Sequence, residues 1–239
     1  MSKIDVTKII KDSLQELQKI GEEKEFPGEN QDSKLIFPKK RKTTERRRSE
    51  KEAVFLFVRE LEKSEGKLYY SVETPTQKKY KFSENNKPCD PQILPEKVRG
   101  GTSARFDVTL YLKRGANEIS KKHIEFKFGN NDTCRKDFLK LLCDDDNQSV
   151  INYFINIIES KDIIKSKDTI ESLKEKFKTS IEYILKKYKD QKHSKLRIFV
   201  FILDYSEGNN FFEFEYEILE TDPLTVDIIE VKSEKIPTT

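Results

Sequence analysis

The chain has 239 residues, of which 37% are charged and 35% are hydrophobic, and its formal net charge is +3. This length suits one domain with a small appendage, and no apolar run approaches the ~20 residues of a membrane span. Three cysteines without CxxC spacing argue against a disulfide framework or a zinc site. We therefore expect a cytoplasmic protein that has neither a secretory signal nor a membrane partner.

The N-terminal segment predicts one helix and a linker. Apolar residues at helical spacing indicate a helix over residues 3–20, and the prolines and charges up to about residue 43 indicate a linker. We therefore divide the chain into residues 1–43, an N-terminal helix with a basic linker, and residues 44–239, the main domain.

A run of basic residues lies across this boundary. It is a candidate for contact with nucleic-acid phosphates, although a solvated linker explains a basic run equally well. Its members are Lys39, Lys40, Arg41, Lys42, Arg46, Arg47 and Arg48.

A second helix is predicted to begin at Ser49, because Ser49 and Glu52 form a capping-box pattern ahead of an apolar run. Two short strands, at residues 69–73 and 80–82, are predicted on either side of a turn that contains Pro75. A long loop follows from Pro88 to Gly101, because proline and glycine recur in it. Its last residues are small and leave room for a phosphate backbone close to Ser103.

A β-hairpin is predicted next, because apolar and polar residues alternate on both sides of a turn centred on Ala116. Facing residues in a hairpin symmetric about Ala116 have numbers that add to 232, as 107 and 125 do. Asp107 therefore faces Glu125, and Lys127 lies on the same face of the sheet.

Two carboxylates that face each other destabilise a sheet unless something offsets their repulsion. A hard divalent cation held by oxygen ligands would do so. The hairpin therefore predicts a metal site at Asp107 and Glu125, with Lys127 beside it, while a purely structural role stays the alternative. A bulge of one residue would place the carboxylates on opposite faces. His123 shares this face and is interpreted as structural.

The remainder of the chain predicts three helices followed by three strands. The helices are expected at residues 133–143, 149–160 and 169–189. A continuously apolar strand, Leu196–Leu203, is expected to lie beside the hairpin. A half-buried strand over residues 212–218 with an acidic outer face, and a last strand at 225–232, complete an α/β fold with a central mixed sheet flanked by helices.

The pattern of Asp107, a gap, and then Glu125-x-Lys127 in an apolar strand resembles the PD-(D/E)XK nuclease superfamily. The runs RRRSEKEAVFLFVREL and YYSVETPT and the strands GTSARFD and HIEFK look like a branch of small bacterial proteins in that superfamily, over roughly residues 46–130. Phe106 stands where the family pattern has proline. A second Glu-x-Lys triplet, at 230–232, has Asp204 as its partner but no hairpin between them, and is the weaker candidate.

The resemblance implies a restriction-endonuclease-like core and Mg²⁺ (or Mn²⁺) held by Asp107, Glu125 and the backbone carbonyl of Phe126. It implies catalysis by Asp107, Glu125 and Lys127. Glu52 would be a further site carboxylate, although it serves equally well as a helix cap. Ser103 and Arg105, near the start of the Asp107 strand, are further candidates for nucleic-acid contact.

The expected function is therefore that of a Mg²⁺-dependent endonuclease that hydrolyses DNA, with RNA as a less favoured substrate. Restriction, phage defence and repair are all compatible with it. Cutting both strands with one site per chain would favour a homodimer. The alternative is a catalytically inactive nuclease-like module that binds nucleic acid or a protein partner.

Overall fold

The computed structural model describes residues 5–22, 49–64, 68–84, 87–95, 101–113, 119–129, 134–145, 150–159, 170–203, 209–219 and 225–236. The chain divides into two compact units, residues 1–67 and residues 68–239. The expected boundary near residue 43 and the whole basic run lie outside the described residues, so both stay predictions.

The smaller unit contains two helices, α1 (Val6–Glu22) and α2 (Glu50–Lys63), as the sequence predicted. The two helices pack against each other, and each buries an apolar stripe, with Leu14 in α1 and Leu56 in α2 fully buried. Ser49 occupies the N-cap position of α2, but its side chain accepts no hydrogen bond from a backbone N–H group of the helix. Its hydroxyl group donates to the Glu52 carboxylate, so the two capping-box residues contact each other through their side chains.

The larger unit contains a single sheet of eight strands and two helices in its described part. The strands are β1 (Tyr69–Glu84), β2 (Lys87–Leu94), β3 (Thr102–Lys113), β4 (Ile119–Phe128), β5 (Ile151–Glu159), β6 (Lys195–Leu203), β7 (Asn209–Leu219) and β8 (Thr225–Ile236), and the helices are α3 (Cys134–Cys143) and α4 (Ile170–Lys187).

The strands lie in the order β2-β1-β3-β4-β5-β6-β7-β8. The pairs β4–β5 and β5–β6 are parallel, and the other pairs are antiparallel. The sheet is therefore mixed, which confirms the predicted α/β class. None of the described helices is long and apolar enough to cross a membrane.

The main core lies between α3, α4 and one face of the sheet. Three aromatic rings form its centre: the ring centroids of Phe138 and Phe154 are 4.7 Å apart, and those of Phe138 and Phe177 are 5.7 Å apart. Edge-to-face packing at these distances adds to the free energy of apolar burial. Because α3 is fixed here, the polar residues on its buried side are fixed as well.

Two predictions on the first strands were wrong. Residues 69–84 form one long strand and not two strands with a turn, and residues 87–94 form an edge strand within the predicted loop. Pro75 is accommodated because the register between β1 and β3 shifts from Pro75 to Lys79, and prolines are tolerated at such irregularities.

The predicted helix at residues 149–160 is also wrong, because residues 151–159 form strand β5. Residues 152–159 are all buried, and a strand buried on both faces reads as a continuous apolar run that periodicity cannot distinguish from a buried helix. As a result β6 lies beside β5 and β7, and β5 separates it from the hairpin.

The strand predicted at residues 212–218 is confirmed as β7, but its acidic face is not simply solvated. Glu213 is buried and lies 3.2 Å from the Arg197 guanidinium of β6. Glu215 accepts a hydrogen bond from the same guanidinium group. The glutamates therefore help to join β7 to its neighbour.

A buried carboxylate, Asp144, joins the end of α3 to the irregular part of β1. Its two oxygens accept hydrogen bonds from the backbone N–H groups of Gln77 and Lys78, both at 2.9 Å, and one also accepts from the Tyr80 hydroxyl at 3.0 Å. Burial raises the pKa of Asp144 above its usual value, and these donors oppose the increase. The carboxylate thus replaces ladder bonds that the register shift removes.

We expect Asp144→Ala to lower the free energy of unfolding by about 3 kcal/mol, because three donors lose their acceptor at once. Urea denaturation of the two proteins measures this difference. Asp190→Ala, at an exposed turn position, is the matched control and should change stability by less than about 0.5 kcal/mol. Equal effects of the two substitutions would contradict the proposed role of Asp144.

Candidate functional site

The predicted hairpin register is confirmed. Val108 pairs with Ile124 and Leu112 pairs with Ser120, so the paired numbers add to 232 in each case. No bulge interrupts this ladder between β3 and β4. Asp107 and Glu125 would be the next pair in the same register, but the ladder does not include them.

The antiparallel pairing stops just before that pair, and the two strands diverge. From Ile124 to Phe128, β4 pairs with β5, while Phe106 and Arg105 of β3 pair with β1. The Asp107 carboxylate accepts a hydrogen bond from the Phe126 N–H group at 2.7 Å. The sheet therefore has a fork with the Asp107 carboxylate inside it.

Glu125 is buried and contacts a residue that the sequence did not single out, Lys140 of α3. The Lys140 ammonium lies 2.5 Å from Glu125 Oε1, 3.4 Å from Asp137 Oδ1 and 3.0 Å from the backbone oxygen of Arg105. The side chains of Glu125, Asp137 and Lys140 are each only 6–7% exposed. We call Asp107, Glu125, Asp137 and Lys140 the charge cluster.

Electrostatics couple the members of this cluster. Burial lowers the pKa of Lys140, but the Glu125 and Asp137 carboxylates outweigh it, and the pKa is raised above its usual value. Burial raises the pKa of Glu125, and Asp137 and Asp107 add to the increase while Lys140 opposes it. Three carboxylates thus surround one ammonium group, and the excess negative charge favours a proton or a cation.

Lys127 lies on the same face as Glu125 by strand alternation and is half-buried. Its Cα partner on β5 is Asn156, while that of Glu125 is Phe154. Glu125 and Lys127 therefore lie on one face of β4, near the fork that contains Asp107. Asn156 lies beside Lys127 on the neighbouring strand.

The other predicted site residues are more dispersed. Ser103 is exposed, and its hydroxyl group donates to the Thr76 and Ala104 carbonyls at 3.4 and 3.2 Å. Arg105 is exposed, and its guanidinium lies 3.6 Å from Glu73. Glu52 belongs to the smaller unit, so its assignment to the site stays a prediction, as does that of the basic run.

The backbone conformation explains why residue 101 is glycine, whereas the sequence suggested that a small residue here leaves room for a phosphate backbone. Its φ angle is +93°, in a region that residues with a side chain rarely adopt. A Cβ at this position would also lie 2.4 Å from Leu94 Cδ1 and 3.3 Å from the Tyr80 carbonyl oxygen. The glycine is therefore explained by the packing of β3 against its neighbours.

Among the described residues, no three Asp, Glu, His or Cys side chains converge in a way that could hold a metal ion. Mg²⁺ commonly uses only one or two carboxylates and keeps several waters. Asp107 and Glu125 fit that chemistry, because burial and mutual repulsion at the charge cluster favour a cation. Such a cation would compete with Lys140 for Glu125. The Phe126 carbonyl stays a predicted ligand.

His123 is packed into the same face of the sheet. Its ring stacks on Phe106 with a centroid distance of 3.9 Å, and its Nδ1 lies 3.0 Å from the Thr109 hydroxyl. Burial, with a smaller contribution from Lys121, lowers the pKa of His123 to about 4. The imidazole is therefore neutral at pH 7, and its contacts are those of a packed side chain.

Sequence reasoning missed Asp137 and Lys140, although α3 carried a signal. Both lie on the stripe of the helix that also contains the buried Cys134 and Leu141. An Asp–Lys pair three residues apart is usually read as a solvated ion pair. Its position within the apolar stripe was the sign that the pair is buried.

We expect Lys140→Met to lower the free energy of unfolding by about 3–5 kcal/mol at pH 7, because it leaves buried carboxylates without their cation. Adding Glu125→Gln to that variant should recover part of the loss, since it removes one of the carboxylates. Chemical denaturation measures both effects. Lys136→Met, on the same helix but only half-buried, is the control, and a loss as large as that of Lys140→Met would refute the cluster interpretation.

The pKa of His123 predicts a loss of stability in acid. The folded protein favours the neutral ring, so this stabilisation is complete above the unfolded pKa of 6.5 and disappears as the pH falls toward about 4. The shift corresponds to about 3 kcal/mol. Between pH 7 and pH 4, the unfolding free energy of wild type should therefore fall by about 3 kcal/mol more than that of His123→Phe. Parallel curves would show that His123 does not contribute.

Comparison with known proteins identifies no relative of this chain. No protein-family model, no curated protein and no solved structure matches the chain. The site is therefore defined by its own geometry: a forked sheet, two carboxylates at the fork, and a buried lysine that contacts one of them.

Proposed function

We propose that the chain is a metal-dependent endonuclease that hydrolyses phosphodiester bonds in DNA, with a PD-(D/E)XK-like site at Asp107, Glu125 and Lys127. The observation that supports this best is the position of the Asp107 carboxylate in the fork. It bonds to the Phe126 N–H group, and its charge acts on both Glu125 and Lys140. Two carboxylates brought together against their repulsion are typical of a cation site.

Each residue has a defined task in this proposal. Asp107 and Glu125 would hold Mg²⁺, which would supply polarisation of the scissile phosphate and a lower pKa for a coordinated water. Lys127 places positive charge beside the phosphate oxygens, where negative charge increases in the transition state. The water oxygen forms the new bond to phosphorus while the bond to the leaving sugar oxygen breaks. The water loses one proton to solvent, and the leaving oxygen takes one up.

DNA would approach from the exposed end of β3. Arg105 is exposed there, and its backbone oxygen accepts from Lys140, so a phosphate contact at Arg105 would be adjacent to the charge cluster. The basic run, Ser103 and Glu52 are further proposed contributors. A homodimer would place two such sites on a duplex.

A second candidate is a nuclease-like module that binds nucleic acid or a protein without cutting. It is favoured by one observation, the Lys140 ammonium at 2.5 Å from Glu125. An ammonium group can balance the carboxylates as a metal ion would, and a protein that needs no metal could keep this arrangement for stability alone.

Cleavage assays separate the two candidates. We expect wild type to nick supercoiled plasmid DNA in Mg²⁺ or Mn²⁺, and Asp107→Asn, Glu125→Gln and Lys127→Ala each to reduce the rate on the order of 100-fold. Asp227→Ala and Lys195→Ala, at exposed positions on other strands, are the matched controls. The same reactions on RNA determine which nucleic acid is cut.

Equal rates of cleavage by wild type and all three site variants would refute the assignment of the site. If wild type binds DNA without cutting it and shows no metal-dependent rise in melting temperature, the binding module is the correct description.

A further inference from the structure

Asn156 is a buried residue of β5 that lies next to the candidate site. Its Cα partners are Lys127 on β4 and Val200 on β6. Adjacent strands are about 5 Å apart, and strand alternation places Asn156 on the same face as Lys127 and Glu125. The residue is 0% exposed.

The Asn156 amide has no hydrogen-bond partner for its nitrogen or its oxygen among the described parts of the chain. An amide can donate two bonds and accept two, and nearly all such groups are bonded when they are buried in a folded protein. Along its own strand, Asn156 is flanked on this face by Phe154 and Ile158, which are apolar. Of the two adjoining strands, β6 presents Val200 beside Asn156 and β4 presents Lys127 and Glu125 on this face, so a polar partner is expected on the β4 side.

Asn152, four residues earlier in the same strand, is a buried asparagine with a structural role, and both polar atoms of its side chain are hydrogen-bonded. Its oxygen accepts from the His123 N–H group at 2.8 Å, and its nitrogen donates to the Leu141 carbonyl at 2.6 Å. Asn152 thus joins β4, β5 and α3. Asn156 makes no such connection, although it is equally buried, so stability of the fold does not explain it.

We propose that Asn156 is a positioning residue of the candidate site, which holds a water molecule against Glu125 and Lys127. A buried water needs two to four polar partners, and these three side chains provide them. The inference rests on the proposed endonuclease function, because it assigns that water as the nucleophile. The amide oxygen and the Glu125 carboxylate accept hydrogen bonds from the water and the Lys127 ammonium donates one to it, so the remaining lone pair of the water is directed toward phosphorus.

Matched substitutions of the two asparagines test the inference. Asn156→Leu keeps the branch at Cγ but removes the polar atoms, and so does Asn152→Leu. Melting temperatures are measured with and without Mg²⁺, and kcat and KM are measured on a plasmid substrate. Asn156→Leu should melt at or above the wild-type temperature, keep a Mg²⁺-dependent rise, and lower kcat at least 10-fold with KM unchanged. Asn152→Leu should melt lower.

A conservative variant adds a second readout. Asn156→Ser keeps a hydroxyl group and leaves room for water, so it should retain more of kcat than Asn156→Leu. A lowered melting temperature in Asn156→Leu, as large as that in Asn152→Leu, would show that the amide is structural and overturn the proposal. So would a normal kcat in Asn156→Leu.

Failure of the endonuclease proposal gives a different result. Wild type would then show neither cleavage nor a Mg²⁺-dependent rise in melting temperature, and Asp107→Asn would behave as wild type does. In that case the role of Asn156 is also refuted, and the comparison of Asn156→Leu with Asn152→Leu still shows which amide contributes to stability.

Discussion

The buried Lys140 ammonium makes the contacts on which the larger unit depends most. From α3 it reaches a carboxylate of β4 and a backbone oxygen of β3, so one side chain joins the helix to both strands of the fork. Without a cation there, three carboxylates would lie close together in a region of low polarity, where an unpaired charge is strongly unfavourable. The apolar packing of Phe138 positions the helix, and the ion pair determines how the helix meets the strands.

The fork follows from a change of partner along β4. In its first half β4 pairs with β3, and from Ile124 onward it pairs with β5 on its other side. The backbone of Phe126 faces the opening, and the Asp107 carboxylate accepts its N–H group in place of a strand carbonyl. A carboxylate used in this way is held in the plane of the sheet. Its position is therefore determined by the backbone and not by a flexible loop.

The hairpin register could be predicted because it depends on local features: alternation and a turn together determine which residues face each other. The partners of the hairpin could not. Lys140 reaches Glu125 only because α3 folds back onto the sheet, and β5 was mistaken for a helix because Ile151, Phe154, Ile155 and Ile158 satisfy helical spacing as well as they satisfy a buried strand. Asn156, inside that segment, had no interpretation until the strand was recognised. The sequence thus predicted the part of the site that is formed by residues near each other along the chain, and not the part that depends on long-range contacts.

The strand order has a consequence for folding. Going from β3 to β8, every strand lies beside the strand that follows it in the chain, and only β2 lies outside this succession, at the edge beyond β1. The antiparallel neighbours β3–β4, β6–β7 and β7–β8 are joined by short connections, whose closure is fast, whereas the parallel pairs β4–β5 and β5–β6 require longer crossovers through α3 and α4. The β3–β4 hairpin can therefore form before the parallel pairs. The fork would form when β5 is added to a β3–β4 hairpin that already exists, so the two carboxylates would approach each other before α4 covers the core.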